Sequence, residues 1–373
     1  MLTEKYLPKL HWFLRIVLIS LAVLILYFIV GFFIPKILPV SHLSNISKYG
    51  LIFRNEKWSG EIKIVGDIWA LPGTIVTINP GTKILVAERG DKFNVHFLPW
   101  LTWSGLNTGE ERFGVRNGEL FWDEGQKIQI HLAKLYALGT KQQPIIITSD
   151  VNYPGSPYDF NIFALDQGIL SNVQMSNYRR LEIGDKVTIR DSYFKNAGEC
   201  AVCISFANPS IINNIFENTL RQYIWIEGGN PKISDNLFMN AKGKGIVIDP
   251  KTYGSPLIYH NSFEMPQQTA LEFLGGGEEQ GGAVSFNYFS GGSAITIPCD
   301  SKVKFIQNKI IGTFKFARSG NCIGQFTLGP NYWDCSDKKA VLREKIINRE
   351  PQFEVLLPII LTGPPEDLGR RPS

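Results

Sequence analysis

The sequence predicts an all-β fold, a solenoid of stacked β-strand coils that follows one N-terminal transmembrane α-helix. Three observations predict it. The 373 residues include 35 Gly and 24 Phe but only 4 Met, a bias typical of turns and buried strands rather than of helical bundles. Two series of similar short segments recur at a shared spacing of 21–26 residues. A run of 19 uncharged residues stands near the N-terminus.

The uncharged run extends from Ile16 to Ile34 and is long enough to cross a bilayer. At 1.5 Å per residue it spans roughly 28 Å, close to the thickness of the hydrocarbon core. Pro35 and Lys36 follow it instead of the small residues of a cleavage site, so we expect an uncleaved signal anchor over 16–35. Three basic residues precede it, which predicts a cytoplasmic N-terminus over 1–15 and a main domain at the bacterial cell surface or in the periplasm.

Net charge argues against nucleic acid as a partner. The formal charge is +4, and residues 1–36 account for +3 of it, with four basic residues and one acidic residue. The remaining 337 residues therefore carry +1, whereas nucleic-acid binding depends on clustered Lys and Arg. Neither a GxxxxGK[ST] nor a GxGxxG loop is present to hold a nucleotide.

The five cysteines all follow the predicted anchor, and an odd number cannot pair completely within one chain. A structural zinc site usually needs two closely spaced pairs, and only Cys200 and Cys203 form one, so we predict no metal centre. In an oxidising compartment, a disulfide between Cys299 and Cys322 and one between Cys322 and Cys335 are both open alternatives.

Two residue series run in phase through the centre of the chain. The first consists of Phe194, Phe216, Phe238, Phe263, Phe289 and Ile310, and the last five of these each follow an Asn by two positions, namely Asn214, Asn236, Asn261, Asn287 and Asn308. The second consists of Ile204, Ile226, Ile248, Phe273 and Ile297, in segments that alternate apolar and other residues as strands do. One shared period indicates one coil per repeat.

A parallel β-helix satisfies this period. Each coil is too small to bury its own apolar residues, but stacked coils bury a continuous core. Equivalent residues then meet at about 4.8 Å, so that Phe stacks on Phe and the Asn side chains form an inward amide ladder at a turn. A leucine-rich repeat would require the LxxLxLxxN pattern, which is absent.

Three stretches carry a resemblance to a known family: GDIWALPGTIVTINPGT at 66–82, LGT followed by PIIITS within 138–149, and NYW with later apolar segments between 331 and 358. They resemble the right-handed parallel β-helix proteins of the pectin-lyase-like superfamily, including NosD-like and carbohydrate-associated surface proteins. Asp334 stands where the closing coil of such proteins usually has Gly. The resemblance implies a right-handed β-helix over 58–361 and says little about function, because this fold hosts lyases, hydrolases, epimerases, adhesins and non-enzymatic proteins.

The remaining segments are assigned around this solenoid. Residues 36–57 are expected to be a linker, and 336–348 a short helix that caps the last coil. Residues 88–127 interrupt the coil pattern and are predicted to be a Trp-rich insert, either a packed flap or a surface for sugars or partners. Its tryptophans are Trp100, Trp103 and Trp122. The tail over 362–373 is expected to be disordered.

The second series also predicts a candidate site. If Ile224 and Ile226 point inward, then Tyr223, Trp225 and Glu227 point outward. Asp249 follows Glu227 by 22 residues, one coil, and Glu272 lies one coil further on. Two carboxylates stacked at about 4.8 Å could act as acid and base, close to the roughly 5 Å of a retaining glycosidase pair, or could hold Ca²⁺. The alternative is an exposed pair of charges separated by solvent.

Other residues give weaker signals. His260 precedes Asn261, where a turn residue is expected, and Arg179, Arg180 and Arg221 could contact acidic sugars. The Ca²⁺-binding acids with an Arg base of pectate lyases, and the NTD, DD, GHG and RIK phrases of polygalacturonases, are not found.

Three functions remain open from the sequence. The first is a non-enzymatic module that binds a polysaccharide or an envelope component, or acts as an envelope scaffold. The second is a polysaccharide lyase or glycoside hydrolase centred on Glu227 and Asp249. The third is a NosD-like accessory role in metal-site assembly, which rests on the closing-coil resemblance alone. Neither the glycan nor the oligomeric state follows from the sequence.

Overall fold

The computed structural model describes residues 17–23, 47–87, 114–116, 119–121, 128–149, 160–249, 254–274, 281–292, 294–317, 324–335, 337–348, 352–357 and 359–371. Within them the chain forms a parallel β-helix. The first strands are Ser47–Ile52 (β1), Glu56–Trp58 (β2), Glu61–Ala70 (β3), Ile75–Ile78 (β4), Lys83–Val86 (β5), Gly114–Arg116 (β6), Glu119–Phe121 (β7), Ile128–Leu138 (β8), Ile145–Ser149 (β9), Phe160–Ser171 (β10), Val173–Ile183 (β11), Lys186–Arg190 (β12) and Tyr193–Ser205 (β13).

The later strands are shorter and follow the sequence repeat. They are Ser210–Ile212 (β14), Ile215–Glu217 (β15), Gln222–Glu227 (β16), Lys232–Ser234 (β17), Leu237–Met239 (β18), Lys244–Ile248 (β19), Leu257–Tyr259 (β20), Ser262–Glu264 (β21), Leu271–Phe273 (β22), Ala283–Ser285 (β23), Tyr288–Ser290 (β24), Ile295–Pro298 (β25), Lys304–Ile306 (β26), Lys309–Ile311 (β27), Phe314–Ala317 (β28), Gly324–Thr327 (β29), Tyr332–Trp333 (β30), Ile346–Ile347 (β31) and Phe353–Leu356 (β32).

Three parallel sheets form the faces of the helix. The first contains β2, β4, the ends of β8 and β10, and β12, β14, β17, β20, β23 and β26. The second contains the starts of β1, β3, β11 and β13, and β5, β9, β15, β18, β21, β24, β27 and β30. The third contains the ends of β1, β3, β11 and β13, the starts of β8 and β10, and β16, β19, β22, β25, β28 and β31.

The predicted phenylalanine series forms one stack inside the helix. Phe194, Phe216, Phe238, Phe263 and Phe289 are fully buried, and the ring centroids of successive members are 4.7–5.2 Å apart, with nearly parallel planes. This separation is the distance between paired strands, so the stack follows directly from in-register coils.

The amide ladder is also present, at the turn between the first and second sheets. Asn236 shows its geometry: its Oδ1 accepts from both the backbone N–H and the Nδ2 of Asn214, at 2.9 and 3.0 Å. Its Nδ2 donates to the carbonyls of Ile211 and Ser234, and to Oδ1 of Asn261 at 3.0 Å. The same pattern continues through Asn261, Asn287 and Asn308 to Asn331. The ladder is structural, as the sequence predicts.

The five ladder residues from Asn214 to Asn308 each follow a residue with left-handed backbone. This position is occupied by Asn213, Asp235, His260, Phe286 and Gln307, with φ between 54° and 59°. The chain thereby reverses direction over two residues and aims the next side chain inward. His260 is therefore a turn residue.

The solenoid begins earlier than predicted. Instead of a linker over 36–57, β1 pairs with β3, and β2 pairs with β4. Trp58 is 2% exposed and closes this end of the core. The sequence did not show this start because these coils precede the regular repeat.

Of the predicted anchor, only 17–23 lies within the described residues, and it is helical. In the described part of the chain there is no helix with both the length and the apolar character required for a bilayer crossing. Most of the predicted Trp-rich insert, including Trp100, Trp103 and Trp122, also lies outside the described residues, and β6 and β7 form an antiparallel pair within it.

The described cysteines differ in oxidation state. Cys200 and Cys203 form a disulfide, with Cα atoms 5.7 Å apart, and Cys299 is disulfide-bonded too. Cys335 is a free thiol, so the alternative that paired Cys322 with Cys335 is wrong.

The last segments cover the C-terminal coils. An α-helical turn at Lys338–Ala340 continues as a π-helical turn at Val341–Lys345, inside the segment predicted to cap the solenoid. Asp337 caps its first turn by accepting from the backbone N–H groups of Lys339 and Ala340. The side chain of Val341 is fully buried.

The predicted disorder of the tail over 362–373 is wrong for its described residues. The Arg370 guanidinium donates to Oδ1 of Asn213 at 2.8 and 3.1 Å, and Arg371 binds the Asp235 carboxylate at 2.6 and 3.0 Å. The tail thus lies along the turns between the first and second sheets. Sequence reasoning could not place these acceptors opposite it, because they are more than 130 residues away along the chain.

Replacement of one ladder amide tests how much the stack depends on it. We expect Asn236→Ala to lower the free energy of unfolding by about 3 kcal/mol or more, because several buried backbone and amide groups each lose a partner at about 1–3 kcal/mol. Asn230→Ala is the matched control, since Asn230 belongs to an exposed ladder between Asn208 and Ser255. Denaturant unfolding measures both, and equal losses would contradict the prediction.

Candidate functional site

The candidate site lies on the outer face of the third sheet. One column of that face consists of the in-register residues Glu182, Cys203, Trp225, Val247, Glu272 and Thr296. A neighbouring column, where the strands end, consists of Ser205, Glu227, Asp249 and Leu274. Successive members of each column are one coil, about 4.8 Å, apart along the helix axis.

Glu227 and Asp249 lie on neighbouring coils of the third sheet. The N–H of Asp249 donates to the carbonyl of Ile226 at 2.8 Å, which sets the two acidic residues on neighbouring coils. Glu227 is half-buried, whereas Asp249 is 8% exposed. The pair is therefore not a pair of fully exposed charges, and part of its hydration has been replaced by protein.

Trp225 points outward and stays partly exposed. Its neighbours in the column, Cys203 and Val247, are small and buried, at 5% and 2% exposure. The indole lies in register between them, and its remaining surface faces solvent. This side chain gives the face an aromatic surface two residues from Glu227.

Glu272 is occupied by an ion pair. Its carboxylate binds the ammonium group of Lys244, which projects from the neighbouring coil. Glu272 is thus held beside the Glu227–Asp249 pair with its charge balanced.

Tyr223 is not part of the surface, and its predicted exposure is wrong. It is fully buried, packs against Phe216 and Phe238, and donates its hydroxyl to the carbonyl of Met239. Burial raises the pKa of this phenol above its usual range. The reason is local: β16 enters the third sheet through a corner, so two consecutive residues point inward and alternation begins only at Ile224.

Sequence reasoning missed a cluster of charges on the same face. Arg179 Nε donates to Glu199 at 3.0 Å, and Arg180 lies 3.7 Å from both Glu199 and Glu182. The sequence suggests these two arginines as contacts for acidic sugars, but the structure pairs them with carboxylates. The spacing could not reveal this, because register shifts in the pairing of β11 with β13 alter which residues meet.

Glu182 is the most perturbed carboxyl of this cluster. Its side chain is buried, and desolvation raises its pKa above the usual value. The negative charges of Glu199 and Glu227 raise the pKa further, and Arg180 acts in the opposite direction. Burial also lowers the pKa of Arg179. The charge of Glu227 therefore acts on Glu182, but less strongly than burial, Arg180 and Glu199 do.

The described residues contain no group of three or more His, Cys, Asp or Glu side chains placed to hold a metal ion. The Ca²⁺ expectation for Glu227 and Asp249 thus rests on two carboxylates, whereas Ca²⁺ usually takes six to eight oxygen ligands.

Comparison with known proteins supports the architecture. Residues 162–289 match the family model of the right-handed β-helix region. The chain is a right-handed parallel β-helix. Neither the search of curated proteins nor that of solved structures gave a significant match.

The buried carboxyl predicts a pH dependence. Because the pKa of Glu182 is raised on folding, the folded state holds this proton more tightly than the unfolded chain does. Its stabilising effect is complete below the ordinary glutamate pKa and is lost as pH rises towards the raised value. We expect Glu182→Gln to remove this fall in stability, seen as a smaller difference in denaturation midpoint between pH 4 and pH 8. An unchanged difference would contradict the pKa shift.

Proposed function

We propose that this β-helix binds glycan chains along the outer face of its third sheet. The observation that carries the proposal is the partly exposed Trp225 next to the stacked Glu227–Asp249 pair. Aromatic rings pack against apolar faces of ligands, and carboxylates accept hydrogen bonds from hydroxyl groups. Sugars offer both kinds of surface.

The repetitive surface suits a repetitive ligand. Columns of side chains at about 4.8 Å run along the helix axis, so a polymer that lies along this axis meets a regular series of groups. The described face is a sheet surface built from short strands rather than from loops, which keeps these groups in fixed relative positions.

Cleavage of the bound glycan is the second candidate. The observation that favours it is the buried Glu182 on the same face, whose pKa is raised by burial and, less strongly, by the charge of Glu227. Acid–base catalysis by two carboxyl groups requires that their pKa values differ, and a raised pKa suits the group that acts as the acid.

One experiment separates the two functions. The full-length protein is incubated with a panel of neutral and acidic polysaccharides, with and without Ca²⁺, and both binding and chain length are measured. We expect binding without shortening, and we expect Trp225→Ala to weaken it at least about tenfold, or roughly 1.4 kcal/mol. The control is Tyr136→Ala, which removes a partly exposed aromatic from the first sheet. If the wild type shortens the chains and Glu227→Gln leaves them intact, the enzyme is favoured. If Trp225→Ala binds as tightly as the wild type does, the proposed binding face is contradicted.

We further propose that the chain is anchored in a membrane by its N-terminal apolar run, with the β-helix outside the cytoplasm. The 19 uncharged residues support this, as does the helical segment 17–23, whose Val17, Leu18, Ile19, Leu21 and Val23 side chains are 46–63% exposed.

Fractionation of the producing cells tests the anchor. We expect the full-length protein in the membrane fraction, resistant to extraction by carbonate, and Leu24→Arg with Ile25→Arg should release it, since each charge at a span centre costs about 2.5–3.5 kcal/mol. Protease added to intact spheroplasts should digest the β-helix. Recovery of the wild type in the soluble fraction would contradict the anchor.

A further inference from the structure

Phe206 is a large apolar side chain in a place where neither the core nor the backbone favours it. It directly follows β13 at the turn that leaves the third sheet, and 66% of its side chain is exposed. Its φ is +51°, in the left-handed region. For a residue with a bulky side chain this conformation is a genuine outlier.

The neighbouring coil shows what the turn itself favours. The N–H of Phe206 donates to the carbonyl of Glu227 at 2.8 Å, so Phe206 lies next to the turn that begins at Gly228. Gly228 also has positive φ, +79°, and it adopts this conformation without a Cβ clash. Phe206 carries a Cβ and a bulky side chain, and it is therefore disfavoured in the same region of backbone space.

A second phenylalanine with the same backbone conformation is compensated by packing. Phe286 has φ +55°, but its ring stacks on His260 with centroids 5.0 Å apart, and its carbonyl accepts the N–H of Gly369. Phe206 has two thirds of its surface in solvent instead. Packing of this kind therefore does not explain its presence.

The position of Phe206 on the outer face explains its presence. Phe206 follows Ser205, which is in register with Glu227, and so it borders the column that continues to Asp249. Leu274, 45% exposed, lies one coil beyond Asp249. Exposed apolar side chains thus flank the two carboxylates along the helix axis, about three coils or 14 Å apart.

We propose that Phe206 is a sugar-stacking platform at the edge of the face and that the ligand is a neutral glycan rather than an acidic one; this inference rests on the proposed function. The ring packs on the apolar face of a pyranose while a hydroxyl group of the neighbouring sugar donates to Glu227. The half-buried Glu227 carboxylate repels a polyuronate, and Arg179 and Arg180 on the same face are paired with Glu199 and Glu182.

The test compares stability and binding in the same variants of the full-length protein. Phe206→Gly should raise the thermal unfolding midpoint, because it relieves the backbone, and should weaken binding of neutral hexaoses of glucose, xylose or N-acetylglucosamine at least about fivefold. Phe286→Gly is the matched control: it makes the same change at another left-handed turn, and we expect it to leave glycan binding unchanged. The galacturonate hexamer is the acidic probe and should bind more weakly than the neutral ones.

The outcomes separate the two proposals. If Trp225→Ala loses binding while Phe206→Gly binds as the wild type does, the proposed function stands and the platform is overturned. A lower unfolding midpoint for Phe206→Gly would overturn the argument from backbone cost. Preference for the galacturonate hexamer would overturn the ligand class. Absence of binding by the wild type to every probe would overturn the proposed function and the platform with it.

Discussion

The structure depends on the buried amide ladder at the turn between the first and second sheets. Parallel strands of three residues have little pairing energy of their own, and a slip of one residue would turn every core side chain to the surface. An Asn that bonds to the backbone and to the amide of the next coil is satisfied in one register only. Its Oδ1 accepts two N–H groups of the coil before, and its Nδ2 donates to two carbonyls and to the next amide, so displacement would leave buried polar groups without partners.

This constraint positions the outer face as well as the core. Because the ladder fixes the register of neighbouring coils at one corner, Ile226 pairs with Ile248. The residues that follow them, Glu227 and Asp249, therefore also lie on neighbouring coils. The side chains of the candidate site therefore do not have to contribute to the register of the coils. The inner residues can therefore be repetitive while the outer ones vary, which is why the fold can present unrelated sites and why function has to be argued from the surface residues.

The sequence predicts the structure where the repeat is regular and fails where the repeat is interrupted. The Asn and Phe series were predictable because they recur at a constant period. Tyr223 was not, because the strict alternation of a strand fails at a corner where two successive side chains point inward. The start of the solenoid at β1 and the Arg179–Glu199 and Arg180–Glu182 pairs fall in long strands with register shifts. The docking of Arg371 on Asp235 joins segments 136 residues apart, and no local pattern encodes such a contact.

Residues with left-handed backbone occur at several turns of the solenoid, and their side chains have different roles. Asn177, Asn196 and Asn218 adopt it at one corner, and there the amides bond to one another, so a short polar side chain both tolerates the backbone and stabilises the coil stack. Phe286 adopts it and contributes to a stack with His260. Phe206 adopts this backbone conformation with most of its ring in solvent, so its side chain contributes little to the stability of the fold. Phe286 is held by its packing against His260, whereas most of the Phe206 ring lies in solvent, and from this contrast we infer that Phe206 contacts a ligand.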